Sequence, residues 1–143
     1  MITESLESNL AKVRRRVHRD CVVCSYQNEQ GLHLDFRTTG DGEVTADFIY
    51  DKSYQGYPGL LHGGVLSAIL DGAMTNCLFA RDCIALTADF RIRFRHPVIV
   101  SQTAGVRAWI TRTTPPIFEV KAEITQAGRI TTTATAKFMQ KPK

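Results

Sequence analysis

The sequence is short of the features that assign a protein quickly. Its 143 residues hold one tryptophan and four cysteines. No apolar run is long enough to span a membrane, and the longest is broken by Asp71 and several small residues, so no membrane insertion is expected. The opening MITESLESNLAKVRRRVHRD has no apolar core of the secretory kind. A cytoplasmic location is the default expectation, with Cys21, Cys24, Cys77 and Cys83 as free thiols. There is no glycine-rich P-loop and no zinc-finger spacing. The basic residues Lys12, Arg14, Arg15, Arg16 and Arg19 hardly interleave with aromatics. They read as a solvated helix face or a docking point for an anionic ligand, and no nucleic-acid partner is expected. Cys21 and Cys24 form a C-x-x-C with no second such pair, so His18 and His33 would have to complete a zinc set. The turn-like SYQNEQG beside it favours a structural turn, and no metal is expected. No G-x-S-x-G elbow is present.

What is there suits one domain over residues 1–143, with chain enough to bury a core without disulfides or metals. Residues 3–18 favour helix, with Leu6, Leu10 and Val13 or Val17 near helical spacing. Leu32, Leu34 and Phe36 alternate with His33, Asp35 and Arg37. After TTGDG, Val44, Ala46, Phe48 and Tyr50 repeat the alternation, which predicts a hairpin with one wet face. Beyond the loop SYQGYPG a long apolar helix starts at Gly63 or Gly64 and frays near Arg81. Ala88, Phe90, Ile92 and Phe94 then face one way and Asp89, Arg91, Arg93 and Arg95 the other, until Pro97. A strand over 98–111, a turn at TTPP and a hairpin of 117–125 with 130–138 about AGR complete the chain. This order predicts an α+β fold. The apolar face of an antiparallel sheet has only the 64–80 helix to cover it, and the sheet should curl around that helix. Its free edges invite pairing between copies, so a dimer is expected.

Between His62 and Ala80 the only acid is Asp71. It lies too far into the helix to cap it or to gain from the dipole, and aspartate is a poor interior helix former. Two readings stand. Asp71 touches water or hydrogen-bonds a neighbouring strand, or it is a carboxylate at the edge of an apolar pocket, made more basic by partial burial. Upstream, HGG puts two glycines at a helix entry, where the backbone can approach a ligand closely and free N–H groups can hold an oxyanion. Gly64 is the first choice of donor and Gly63 the next. His62 reads as a base or, preferably, as a group that orients the loop. Asp71 lies seven residues after Gly64, roughly 10 Å along a helix axis, so one carbonyl carbon does not reach both; a dimer with shared sites would solve this. Ser67 sits where it can line the pocket. Cys77, deep in the helix with no nearby base, is a poor nucleophile.

HGGVLSAILDGAM, preceded by YQGYPGLL, resembles the hotdog-fold acyl-CoA thioesterases of the PaaI-like branch. CVVCSYQNEQGLHLDF resembles that branch's opening, and TADFRIRFRHPV the strand after its helix, so the likeness covers most of the chain. The resemblance implies a curved antiparallel sheet wrapped around a long central helix, with an N-terminal helix, in dimers or dimers of dimers whose sites lie at the interface. It implies hydrolysis of an acyl-CoA or aryl-CoA thioester without a cofactor, coenzyme A being part of the substrate. Asp71 falls on the catalytic carboxylate and Gly64 on the carbonyl-polarising amide, with His62 and Gly63 shaping the turn. Gln55 matches a polar residue that helps to hold the water or thioester, and Thr87 a position that faces the site. Leu66, Leu70 and Met74 would give an apolar lining for the acyl or aryl group, and Arg91, Arg93 and Arg95 would either meet the coenzyme's phosphates or cover the sheet. Two departures stand out. Many relatives carry Asn, Asp or His where Gln55 stands, and many read LDEAM where this chain has Gly72. Loss of that acid bears on base strength or pocket width, and glycine costs a helix about 1 kcal/mol relative to alanine. A hydratase or dehydratase on the same fold, and a non-catalytic acyl-thioester-binding protein, are the alternatives.

Overall fold

The computed structural model describes residues 2–142. Helix α1 spans Ile2–Val17, strands β1 and β2 span Arg37–Thr38 and Val44–Phe48, and helix α2 spans Gly63–Phe79. Four long strands follow: β3 Ala85–Phe94, β4 Ala104–Thr114, β5 Ile117–Gln126 and β6 Arg129–Gln140. They form one antiparallel sheet in the order β1-β2-β4-β5-β6-β3. The sheet curves around α2, which packs on β2, β3, β4 and β5, while α1 covers α2 from the other side. This is the hotdog arrangement. No helix among the described residues is long and apolar enough to cross a membrane.

Alternation builds the sheet's inner face. Val44, Ala46 and Phe48, then Ala104, Val106 and Ala108, then Phe118, Val120, Ala122 and Ile124, then Ala134, Ala136 and Phe138 are all buried. The register aligns Ala108, Ala122 and Ala134 across three neighbouring strands. Small side chains in that row let the helix come close, and Cys77 Sγ on α2 lies 3.8 Å from the Ala108 carbonyl oxygen. On its other side α2 meets α1, whose Leu6 and Leu10 share one core with Val23, Leu34 and Phe36 of the following segment.

The structure corrects three sequence expectations. The strand read at 32–37 shrinks to Arg37–Thr38, paired with Val44 and Thr45. Upstream, the N–H groups of Leu32 and Leu34 donate to the carbonyls of Val22 and Val23 (2.7 and 2.9 Å), so this stretch is tied to the C-x-x-C turn instead of β2. Leu34 and Phe36 are buried all the same, because alternation reports the core and not the hydrogen-bond partner. Second, residues 98–103 are a loop. The Gln126 side chain does a strand's work there, accepting from Ile99 N–H (2.8 Å) and donating to the carbonyls of Ile99 and Gln102. Third, the row Ala88, Phe90, Ile92 and Phe94 is not covered by this chain. β3 is the sheet's last strand, Phe90 and Ile92 are only half-buried, and Phe94 is 54% exposed. A bulge between Thr87 and Asp89 also shifts the strand's parity at its start.

Gly72 is explained by packing. It is buried, and a Cβ there would lie 2.5 Å from Val23 Cγ1 and 3.4 Å from Phe36. It faces the C-x-x-C turn, so the expected effect on pocket width is replaced by a close contact between helix and turn. Valine is stiff at χ1 and cannot swing aside cheaply. Gly72→Ala should therefore lower stability by about 1–2 kcal/mol, overpacking outweighing the helix-propensity gain, with a melting temperature roughly 3–5 °C lower. Adding Val23→Ala should recover part of that loss in a double-mutant cycle. A single mutant as stable as the parent would contradict this packing.

Candidate active site

Helix α2 is buried on nearly every side, and its open residues fall into a pattern. At its entry Gly63, Gly64 and Val65 are all exposed or half-buried; beyond them only Ser67, Ala68 and Asp71 are, whereas Leu66, Ile69, Leu70 and every residue from Gly72 to Phe79 are buried. Counted from Gly64, the spacing i, i+3, i+4, i+7 is one helix face. Asp71 and the glycine entry thus share one strip, about 10 Å apart.

At the far end of the strip, the Thr87 hydroxyl donates to Asp71 Oδ1 at 2.6 Å. The bulge beside Thr87 aims that hydroxyl at the helix. Burial raises the Asp71 pKa above its ordinary 3.8. The Thr87 hydrogen bond opposes that, the charge of Cys21 adds to it, and His18 works against it. Asp71 thus bonds a neighbouring strand, the first of the two readings from sequence, and it is a half-buried carboxylate whose pKa burial raises.

At the near end, His62 caps the helix. Its Nδ1 accepts the Gly64 N–H at 2.8 Å, while the N–H groups of Val65 and Leu66 turn onto the His62 carbonyl, both at 3.0 Å. Of the four N–H groups that open α2, Gly63's is the one outside this set. Gly64, the preferred donor on sequence grounds, already has an acceptor within its own chain. His62 has the loop-orienting role preferred from sequence. The Ser67 hydroxyl donates to the Gly63 carbonyl at 2.7 Å. Gln55 Oε1 accepts from Gly59 N–H at 2.9 Å, so it holds the loop ahead of the helix.

A cleft of about 430 Å³ opens beside the helix entry, lined by His62, Gly63 and Leu66 with Tyr57, Phe94 and His96 among others. Asp71 and Thr87 do not line it. Nor does Met74, which is wholly buried in the core with Leu70, so neither supplies lining within one chain. Arg95 borders the cleft, while Arg91 and Arg93 lie exposed on β3. Sequence reading missed Tyr57, Phe94 and His96. Phe94 carried a signal, since its alternation marked it as inward-facing, but its place is over Gly63, where a Cβ would touch the ring at 3.7 Å.

Behind Asp71 lies a second cluster. His18 Nδ1 is 3.6 Å from Cys24 Sγ, and the donor atoms of His18, Cys21 and Cys24 lie within 4.8 Å of one another.

A family model for the thioesterase superfamily matches residues 58–140. No curated protein matches the chain by sequence. Solved structures that resemble it include a thioesterase superfamily protein (20% identity, TM-score 0.81, 85% of this chain and 63% of that one). The PaaI protein from the phenylacetic acid degradation operon of E. coli is 14% identical, with TM-score 0.81 over 99% of this chain and 97% of that one. A Streptococcus mutans protein bound to acetyl CoA is 16% identical, with TM-score 0.71 over 77% and 90%. The chain spans 63% of the length of the first of these. At such identities the structures speak for the fold alone.

The Asp71 environment yields a titration test. Followed by carboxyl carbon NMR, Asp71 should titrate above 3.8. Thr87→Ala removes the hydrogen bond that favours the anion, so the midpoint should climb further. The folded state then holds the Asp71 proton more tightly than the unfolded chain does, and this group costs stability as the pH rises past 3.8. Asp71→Asn should accordingly be more stable than the parent at neutral pH, with the difference closing in acid. A midpoint at or below 3.8, or one indifferent to Thr87, would overturn this electrostatic account.

Proposed function

We propose that this chain, which belongs to the thioesterase superfamily, hydrolyses an acyl-CoA or aryl-CoA thioester to the free acid and coenzyme A, as a PaaI-like member acting in a dimer or dimer of dimers. The observation that carries the reading is Asp71: the only acid on α2, half-buried, on the same helix face as the glycine entry, with one oxygen held by Thr87.

The chemistry follows from that arrangement. The thioester carbonyl sits against the N–H groups opening α2, and Asp71 takes a proton from water as the water oxygen adds to the carbonyl carbon. The tetrahedral oxyanion collapses, the C–S bond breaks, and the proton held by Asp71 passes to the departing thiolate. Direct attack by Asp71 would instead form a mixed anhydride that water then opens, giving the same products. An oxyanion at Gly64 has to displace the His62 ring. That exchange is favourable, because an N–H bond to a charged acceptor is about twice as strong as one to a neutral one. Gln55 holds the loop ahead of the helix through Gly59 N–H, and in this reading its amide helps to steady the water or thioester.

Oxyanion donors act at about 2.7–3.1 Å, and Asp71 lies two turns from Gly64 on one helix. The site is therefore completed between two copies, Asp71 from one and the HGG entry from the other. The open edge of β3, with Phe94 exposed and Phe90 and Ile92 half-covered on the sheet's inner side, supports this by offering an apolar face for a second copy. Leu66 and Phe94 give the cleft its apolar wall, and Arg95 a cation for the coenzyme's phosphates. No cofactor is needed, coenzyme A being part of the substrate.

Thiol release from short, medium, long and aryl acyl-CoAs tests the proposal. Turnover should be clear on at least one of them, and Asp71→Asn should cut it by about 10²–10⁴-fold, the usual share of a positioned base. Binding of acyl-CoA without release by the parent protein would make the chain an acyl-thioester-binding protein. Hydration of an enoyl thioester would make it a hydratase. Release untouched by the substitution would remove Asp71 from the mechanism.

A further inference from the structure

The C-x-x-C turn reads from sequence as structural, with His18 and His33 the only histidines near enough to complete a metal set. The fold brings one of them in. His18 follows the last turn of α1, and its ring stands edge-on to Phe79 at 4.8 Å between centroids. That contact turns Nδ1 toward Cys24 Sγ, 3.6 Å away, and all three donor atoms lie within 4.8 Å of one another. Tetrahedral zinc with bonds of about 2.3 Å to sulfur and 2.0–2.1 Å to nitrogen puts sulfur and nitrogen about 3.6 Å apart and two sulfurs about 3.8 Å apart. His33 is committed elsewhere, its Nε2 2.6 Å from the Asn28 carbonyl oxygen.

We propose that His18, Cys21 and Cys24 are ligands of a bound zinc ion. Two thiolates and a neutral imidazole balance a divalent charge and suit zinc's borderline softness. The turn is shaped for it: the Val23 N–H points at Cys21 Sγ at 3.3 Å, a hydrogen bond that steadies a metal-bound sulfur. Arg14, Arg15 and Arg19 line the adjoining cleft with His18 and Cys24. Their positive charge stands beside the sulfurs, and the cleft leaves the fourth coordination position to water. Asn76, wholly buried on the α2 face turned to this cluster, has an Oδ1 with no hydrogen-bond partner among the described residues. The ion ties the end of α1 to the turn whose Val23 packs on Gly72, beside Asp71. The assignment stands whether or not Asp71 turns over a thioester.

The test uses the full chain, purified with reductant, loaded with zinc and dialysed. Metal analysis should find one zinc per chain. Cys24→Ser and His18→Ala should each lower retained zinc at least about 10-fold, the loss that even outer-shell changes can bring, while His33→Ala leaves it unchanged. Should a variant fail to fold by circular dichroism, cobalt loading of the parent decides: a near-ultraviolet thiolate-to-cobalt band sized for two sulfurs and visible bands of tetrahedral cobalt support the site. No retained zinc and no such bands, zinc unaffected in folded variants, or a Cys21–Cys24 disulfide whose reduction creates no metal binding would each overturn the proposal.

Discussion

The architecture depends on one enclosed helix. Helix α2 lies in a trough of alanines on the sheet and is covered behind by α1 and the 21–36 segment. A helix so enclosed can carry a charge only where the enclosure is incomplete, because an unpaired charge in an apolar interior costs several kcal/mol at least. The strip through Gly64, Ser67, Ala68 and Asp71 is that opening. The close fit elsewhere creates it. Gly72 lets the C-x-x-C turn press against the helix, and Ala108, Ala122 and Ala134 let the sheet approach from the opposite side.

Asp71 is the place where the fold gives up stability. Desolvation raises its pKa, and the Thr87 hydroxyl offsets only part of that. The proposed function uses that carboxylate as a base, and its cost is borne by a core that is otherwise apolar and well packed. The helix entry is the complementary feature. There the Gly64 N–H is held by the His62 ring, an acceptor that the proposed oxyanion would displace.

Much of the fold was legible in the sequence because alternation and helical spacing report burial directly. The two helices, the late hairpin and the Val44–Phe48 strand all follow from that pattern. It misled where burial and backbone pairing part company. Leu34 and Phe36 alternate as a strand does, yet their segment bonds to the 22–23 turn. Residues 98–103 look extended, yet their pairing is one short bridge to residues 59–61 on one side and the Gln126 amide on the other. The apolar row on β3 reads as core, but it lies at the sheet's edge, where one chain cannot cover it. At the candidate site, Asp71 stood out because an acid inside a greasy helix needs water, a hydrogen-bonding strand or a chemical use to be kept there. Its bond to Thr87 appeared only as a likeness of position, since a pairing across sixteen residues and a bulge leaves no local pattern. The sequence offered His18 and His33 alike as partners of the cysteines, and that His18 is the one brought near depends on how α1 docks against Phe79.

The claim on which the functional account turns is that Asp71 of one copy works with the helix entry of another. Mixing two inactive variants tests it directly. Asp71→Asn removes the carboxylate, and Gly64→Pro removes the amide donor in the first turn of α2 together with its bond to the His62 ring. Shared sites predict that mixed dimers regain one intact site of two. Since half the dimers are mixed after random exchange, activity should recover to about a quarter of the parent's. If exchange is complete, as native mass spectrometry would verify, and the mixture stays as inactive as its components, each chain must build its site alone and the account is wrong.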